Sequence, residues 1–307
     1  MNRRSMYFCR PSGAAVCVLL VAVALTADLA AQVQNLTPAA LAMFTPQNPY
    51  ERFADGRPKV PDTVLNTIRE MGLEVEEAWG LLRQKGYTNQ YEANWNVLLP
   101  EKRLVGRAFT VQFMPTRPDV AEAAQKIANE NGIGALRNQT AIDMLQAGDV
   151  AVVDLFGKIE GGTFVGDKLA YYVNKTTGTG LVVDGALFYL SRIQKTGMPA
   201  YFRGTHPSSL TNVMLTGVNV PVRIGDAIVM PGDIVLGDRD GILFIPPQLI
   251  EEVIESARTQ RARDEWVKMM FDTGRYKSGE IYGRPTDPKL LKEMEEFIKQ
   301  KTAKKPG

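Results

Sequence analysis

The chain has 307 residues, 45% of them apolar, which suits one large globular domain or two modest ones. Its 36 lysines and arginines nearly cancel its 34 aspartates and glutamates, so it carries no basic footprint for nucleic acid. The one charge run, KQKTAKKPG at the end of the chain, reads as a solvated tail.

At the N-terminus Arg3, Arg4 and Arg10 precede an apolar run from Ala14 to Ala27, and small residues follow at Ala30 and Ala31. This is the three-part order of a secretory signal, too short for a comfortable transmembrane span. Cleavage after Ala31 is expected, which makes the protein periplasmic or secreted and leaves no stable membrane anchor. The stretch NRRSMYF also has twin-arginine order, which would mean export after folding. Both cysteines, Cys9 and Cys17, leave with that segment, so a mature chain from Gln32 has no disulfide, thiolate nucleophile or cysteine metal site. Cleavage also removes three of the 36 basic residues and one of the 34 acidic ones, leaving 33 of each.

Residues 32–61, rich in Asn, Pro and Gln, read as an arm lying across its own domain or a neighbouring subunit. From Asp62, placed as an N-cap, apolar residues recur at helical spacing through Leu82, and Gly72 divides the run into two helices. Leu104–Pro115 alternates as a strand, VAEAAQKIANENG is a helix, and TAIDMLQAGDVAVVDLFG is a short helix, a Gly-Asp turn and a buried strand. The chain is organised around the next stretch. There the strand ending at Asp154 meets a glycine turn at Gly161-Gly162 and a helix from about Phe164. A second strand, Leu181–Val183, breaks at an Asp184-Gly185 turn that opens another helix. Strand ends and helix starts that converge in this way are where α/β proteins hold ligands. MPAYFRG is a further strand, and Val220–Pro246 is a series of short strands broken by hairpin signals. Two helices, one from about Gln248 to Gly274 and one from about Pro288, close the chain.

In that order the segments GRAFTV, GDVAVVD, GDKLA, GLVVDGA, MPAYFRG and MPGDIVLGDRDGILFIP resemble the RraA-like family, over roughly Val64 to Glu265. That family includes the regulator of ribonuclease activity A and the class II 4-hydroxy-4-methyl-2-oxoglutarate aldolases. The resemblance implies an α/β fold, a layered β-β-α sandwich of swivelling-domain type, here with an N-terminal helical arm and C-terminal helices. The expected division is a signal peptide at 1–31, an arm at 32–61, an RraA-like domain at 62–274 and a C-terminal extension at 275–307. It further implies a homotrimer or hexamer with sites at subunit boundaries and a small-molecule substrate.

In the aldolase members an aspartate is followed, after twenty residues, by Arg-Asp. The arginine grips the substrate carboxylate, and the second aspartate holds a divalent metal, usually Mg2+, that chelates a 2-oxo acid and stabilises the pyruvate enolate. By this resemblance Asp167 is the first aspartate, and Gly166, Asp167, Lys168 and Leu169 are the substrate loop. The Arg-Asp positions are taken by Phe188 and Tyr189. Phenylalanine cannot bind a carboxylate, and a phenol is a poorer magnesium ligand than a carboxylate.

Arg192, four residues after Phe188, would share its face on a helix and could reach the vacated place. Lys168 and Arg203 are further cations within range, and Asp167 or Asp184 could hold a metal through water. The bland reading is that Arg192 is a solvated helix residue and that Asp184 starts a turn. Asp264 or Glu265 would be the neighbouring subunit's acidic contribution. His206, the single histidine, lacks a nucleophile elbow and reads as a turn residue. Gly161-Gly162 lacks the spacing of a phosphate loop, although its N–H groups could meet a carboxylate. The aspartates at 226, 233, 238 and 240 read as hairpin turns and not as a calcium loop.

Two readings follow. One is an exported, divalent-metal-dependent aldolase or decarboxylase that works through Asp167 and Arg192 on a small 2-oxo acid or related ligand. The other is a non-catalytic oligomeric binding protein that has lost the metal site.

Overall fold

A computed structural model describes residues 36–130 and 132–303, so the signal segment expected at 1–31 lies outside the described residues. The helices are α1 (Pro38–Phe44), α2 (Asp62–Met71), α3 (Val75–Gln84), α4 (Pro118–Glu130), α5 (Asn138–Ile142), α6 (Asp167–Thr177), α7 (Leu190–Gln194), α8 (Ile250–Asp272), α9 (Ser278–Ile281) and α10 (Pro288–Thr302). The strands are β1 (Tyr91–Glu92), β2 (Asn96–Leu98), β3 (Leu104–Pro115), β4 (Asp149–Val165), β5 (Leu181–Leu187) and β6 (Ala200–Thr205). They continue with β7 (Val213–Val218), β8 (Val222–Ile224), β9 (Ala227–Val229), β10 (Ile234–Gly237) and β11 (Ile242–Ile245).

The main sheet runs β1-β11-β10-β3-β4-β5-β6-β2, with β7 on the far end of β3; β3, β4, β5 and β6 are parallel, and the other pairings antiparallel. Its edge strands, β1 and β2, are separated only by residues 93–95. Four extended residue steps reach at most about 14 Å, so the two edges must approach and the sheet must curl. Alternation along β3, β4, β5 and β6 then sorts side chains to two sides. Leu104, Val150, Val152, Val182 and Tyr201 face a cluster closed by the β8–β9 hairpin, while Phe109, Ala151, Val153, Val183 and Phe202 face α5, α6 and α7. A third cluster joins α2, α3 and α8 to β10 and β11. The mixed sheet with flanking helices is the expected α/β fold.

The arm packs on its own domain. Leu41 is buried, and Arg57 is wholly buried between Asp55 and Asp149, each ion pair 2.8 Å long. Gly72 ends α2 in the left-handed region (φ 58°), which divides the helices as expected. Asp62 is the first residue of α2 and not its cap; its carboxylate accepts from the Arg107 guanidinium at 2.8 Å.

Two local expectations are corrected. Asp184-Gly185 is not a turn, because β5 continues through it to Leu187. Glycine is needed there for close packing, since a β-carbon would stand 2.9 Å from Leu155 Cβ and 3.0 Å from the Gly162 carbonyl. Gly161-Gly162 does not open a helix either. It closes an irregular stretch of β4 that touches β5 at Lys158↔Gly185, after which β4 pairs with β5 again at Thr163↔Ala186 and Val165↔Leu187. Its amide is not free for a ligand: the Gly161 N–H donates to Ser208 Oγ at 2.6 Å.

Candidate functional site

The rejoined pair Val165↔Leu187 fixes the site. The next residue on each strand, Gly166 and Phe188, must be a neighbour, and α6 starts at once with Asp167. A β-carbon on Gly166 would meet Phe188 Cε1 and Cζ, each at 2.8 Å, so the ring lies directly on the glycine backbone. Tyr189 follows in the left-handed region (φ 60°, ψ 37°), which turns the chain into α7 and brings its ring to 4.4 Å from that of Phe188. For a bulky residue this conformation is strained.

In front of α6 lies a cavity of about 570 Å3. Phe113, Phe164, Leu169, Leu210, Val213 and Leu215 make much of its apolar wall, while Arg137, Asp167 and Lys168 bring charge. Arg137 and Lys168 are exposed, which puts their cations at the mouth. The first amides of α6 have no acceptor within the helix, and with the helix dipole they favour an anion at this end. Gly166, Asp167, Lys168, Leu169, Phe188 and Tyr189 all line this one cavity, so the proposed substrate loop and the two replaced positions do converge.

Arg192 is not among the lining residues and meets the cavity only through Asp167. Phe188 precedes α7 and shares no helix face with it. The left-handed turn at Tyr189 instead lets the Arg192 guanidinium stack 4.5 Å above the Tyr189 ring and point Nη1 at Asp167 Oδ2, 3.5 Å away. The pair is largely solvated, with the Arg192 side chain 60% exposed.

Arg203 and Asp184 belong elsewhere. They lie on the inner parity of β6 and β5, with Tyr201 and Val182, away from the α6 face. Arg203 donates to Asp184 and Glu92, both at 2.6 Å, and stacks 3.8 Å from Trp95, a clamp that ties the β1–β2 connection to the sheet. Neither lines the cavity. His206 pairs through Nδ1 with Ser208 Oγ at 2.7 Å, in the turn role expected of it. Glu265 is ion-paired with Lys301 on α10 at 2.6 Å.

The metal expectation meets a different donor set. Among the described residues no group of three His, Cys, Asp or Glu side chains could hold a metal ion. At the cavity Asp167 is the one carboxylate among the described lining residues, Arg192 already faces it, and Tyr189 offers a phenol. The residues of this chain therefore do not fit the magnesium site of the aldolases. Sequence reasoning missed Arg137, Leu210 and Val213, which arrive from distant segments with no motif to mark them.

Comparison with known proteins gives the chain's family. The chain is 28% identical over 173 residues to Protein DlpA of Legionella pneumophila, covering 56% of this chain and 26% of that protein. It is 34% identical over 122 residues to a "Putative 4-hydroxy-4-methyl-2-oxoglutarate aldolase" of Halalkalibacterium halodurans, covering 38% of this chain and 56% of the other. The match thus spans about a quarter of one relative and just over half of the other. Among solved structures it resembles Streptomyces coelicolor RraAS2, an unusual member of the RNase ES inhibitor RraA protein family. The TM-score there is 0.59 at 26% identity, covering 69% of this chain and all (100%) of that one. Residues 63–244 match the RraA-like family (Aldolase/RraA), and the chain belongs to that family.

Proposed function

We propose that this chain is an exported carbon–carbon lyase that acts on a small 2-oxo acid in the cavity in front of α6. The observation that supports the reading is that the cavity persists, at about 570 Å3 and with Asp167 and Lys168 on its wall, although Phe188 and Tyr189 hold the two replaced positions. That volume suits a small molecule.

For a 4-hydroxy-2-oxo acid the chemistry is a retro-aldol cleavage. The 4-hydroxyl proton passes to the Asp167 carboxylate, C4 becomes a carbonyl, and the C3–C4 bond breaks with its electron pair left on C3 as pyruvate enolate. Lys168 and the first amides of α6 supply positive potential for the substrate carboxylate and the enolate oxygen. A solvent proton at C3 completes pyruvate. Arg192 acts through Asp167, as a positioning residue that holds the carboxylate at the cavity edge. None of these steps uses a metal.

The test is pyruvate release from oxaloacetate, from 4-hydroxy-4-methyl-2-oxoglutarate and from a 4-hydroxy-2-oxo acid with a single carboxylate, with magnesium, without it and with chelator. Turnover lost in Asp167→Asn supports the reading. Absence of turnover under every condition, together with an unchanged melting temperature on adding oxo acid, sinks it. A second reading, a non-catalytic binding protein, is favoured by one specific observation: the anion-gripping and metal-holding positions are an aromatic pair in contact. Ligand-induced stabilisation without turnover would select it. The proposed homotrimer or hexamer is checked by mass in solution, and export by finding a mature N-terminus at Gln32 in the periplasm or medium.

A further inference from the structure

Polar groups in the cavity are unevenly distributed. Its charged groups, Arg137, Asp167 and Lys168, include the two exposed cations, while the wall behind them is built of buried or half-buried apolar side chains. Asn138, Thr163, Gln139 and Ser209 also line it; Asn138 Nδ2 donates to the Phe164 carbonyl at 2.6 Å and Thr163 Oγ1 to the His206 carbonyl at 3.1 Å, while Gln139 and Ser209 are exposed, like the two cations, and bring no polar group into the buried wall of Phe113, Phe164 and Val165. A ligand carrying carboxylates at both ends would bury one of them against Phe113, Phe164 and Leu210, with no cation beside it. An unpaired carboxylate in such a place is strongly disfavoured.

The Phe188 ring also faces this space and cannot easily leave it. Gly166 lies directly against the ring, and the Tyr189 ring leans on it at 37° with centroids 4.4 Å apart. A ring fixed in this way offers an aromatic surface beside the anion-favouring start of α6. Flat apolar groups pack well on such a surface.

We propose that the cavity selects monocarboxylates with an aryl body, that Phe188 is the residue that sets this preference, and that the substrates are 4-aryl-4-hydroxy-2-oxobutanoates. This rests on the lyase reading above for its catalytic half only. Cleavage would break C3–C4, pass the 4-hydroxyl proton to Asp167, release an aryl aldehyde and leave pyruvate enolate to be protonated at C3 by solvent. The carboxylate lies toward Lys168 and Arg137, and the aryl group against Phe188 and the apolar wall.

Binding and turnover test the two halves separately. Calorimetry on the full mature chain compares phenylpyruvate, a 2-oxo acid with an aryl body, with 2-oxoglutarate, which has a second carboxylate. Phenylpyruvate is expected to bind at least about tenfold more tightly, a difference near 1.4 kcal/mol. Phe188→Arg is expected to reverse the order and Lys168→Met to weaken both ligands. If Phe188→Arg does not fold, Phe188→Leu keeps an apolar side chain and should lose most of the preference without gaining 2-oxoglutarate affinity. Equal or tighter binding of 2-oxoglutarate by the native chain overturns the proposal, and so does a preference unchanged in both Phe188 variants. The catalytic half is read from pyruvate and benzaldehyde released from 4-hydroxy-2-oxo-4-phenylbutanoate. Binding preference without release removes the lyase reading and leaves the selectivity standing; release from oxaloacetate but not from the aryl substrate removes the selectivity and leaves the lyase.

Discussion

The ring of Phe188 rests on the backbone of Gly166, so closely that a β-carbon on the glycine would stand 2.8 Å from two ring atoms. The contact follows from the strand pairing Val165↔Leu187 one residue earlier. Gly166→Ala should push the ring into the cavity or out of its stack on Tyr189. Overpacking of this kind costs about 1–3 kcal/mol. The expected result is a lower melting temperature and weaker ligand binding, read by calorimetry; a variant as stable as the native chain, with native affinity, would show that the ring moves freely.

The aspartate that Tyr189 replaces would sit easily in the left-handed backbone that Tyr189 occupies at φ 60°. Aspartate tolerates that region far better than tyrosine. The double substitution Phe188→Arg/Tyr189→Asp should therefore fold and regain an anion grip with a second carboxylate near Asp167. Magnesium together with a 2-oxo acid should then raise its melting temperature more than either alone, and should do so less in the native chain. No magnesium effect in the double variant would mean that the site needs a group from elsewhere.

Arg192 and Asp167 face each other at 3.5 Å with the arginine mostly in solvent. Exposed pairs of this kind contribute about 0–1 kcal/mol. Arg192→Ala should hardly change the denaturation midpoint. It should lower turnover more than affinity, because the residue positions Asp167 and need not grip the ligand. Unchanged kcat and KM would return Arg192 to the status of a solvated helix residue.

Arg57 and Asp149 form an ion pair with both side chains fully buried. Removing one partner leaves a buried charge unanswered, at a cost of about 3–5 kcal/mol. Arg57→Met should thus lower stability by that order, seen as a large drop in urea midpoint, because the arm carries the cation that Asp149 needs. A loss below about 1 kcal/mol would show that the pair relaxes into solvent.

Asp233 is wholly buried, and burial raises its carboxyl from 3.8 to about 7, opposed by one N–H donated from Met230. The folded chain then holds a proton that the unfolded chain has lost at any pH between those values. Stability should accordingly be greatest near the lower value and fall as pH rises toward 7, by up to about 1.4 kcal/mol per unit from this group. Asp233→Asn should flatten that slope in denaturation measured from pH 4.5 to 7.5, after allowance for the other carboxyls; an unaltered slope would mean that Asp233 is ionised in the fold.

The elements were legible where local chemistry and the fold agree. Leu104–Pro115 is the expected strand, and Gly72 ends one helix before another begins. Local turn chemistry failed at Asp184-Gly185 and Gly161-Gly162, because there glycine answers a close approach between strands and not a change of direction. Likewise Asp167, Lys168, Phe188 and Tyr189, which the family resemblance singles out, line one cavity.

The sequence by itself determined periodicities and the family pattern, since each is written in the order of residues along the chain. Only the tertiary structure decided that Arg203 and Asp184 face the other side of a curled sheet, and that Arg192 arrives through a strained tyrosine. It alone decided that Arg137, Leu210 and Val213 complete the cavity. These depend on strand pairing and sheet curvature, which bring distant residues together at distances that no local spacing encodes.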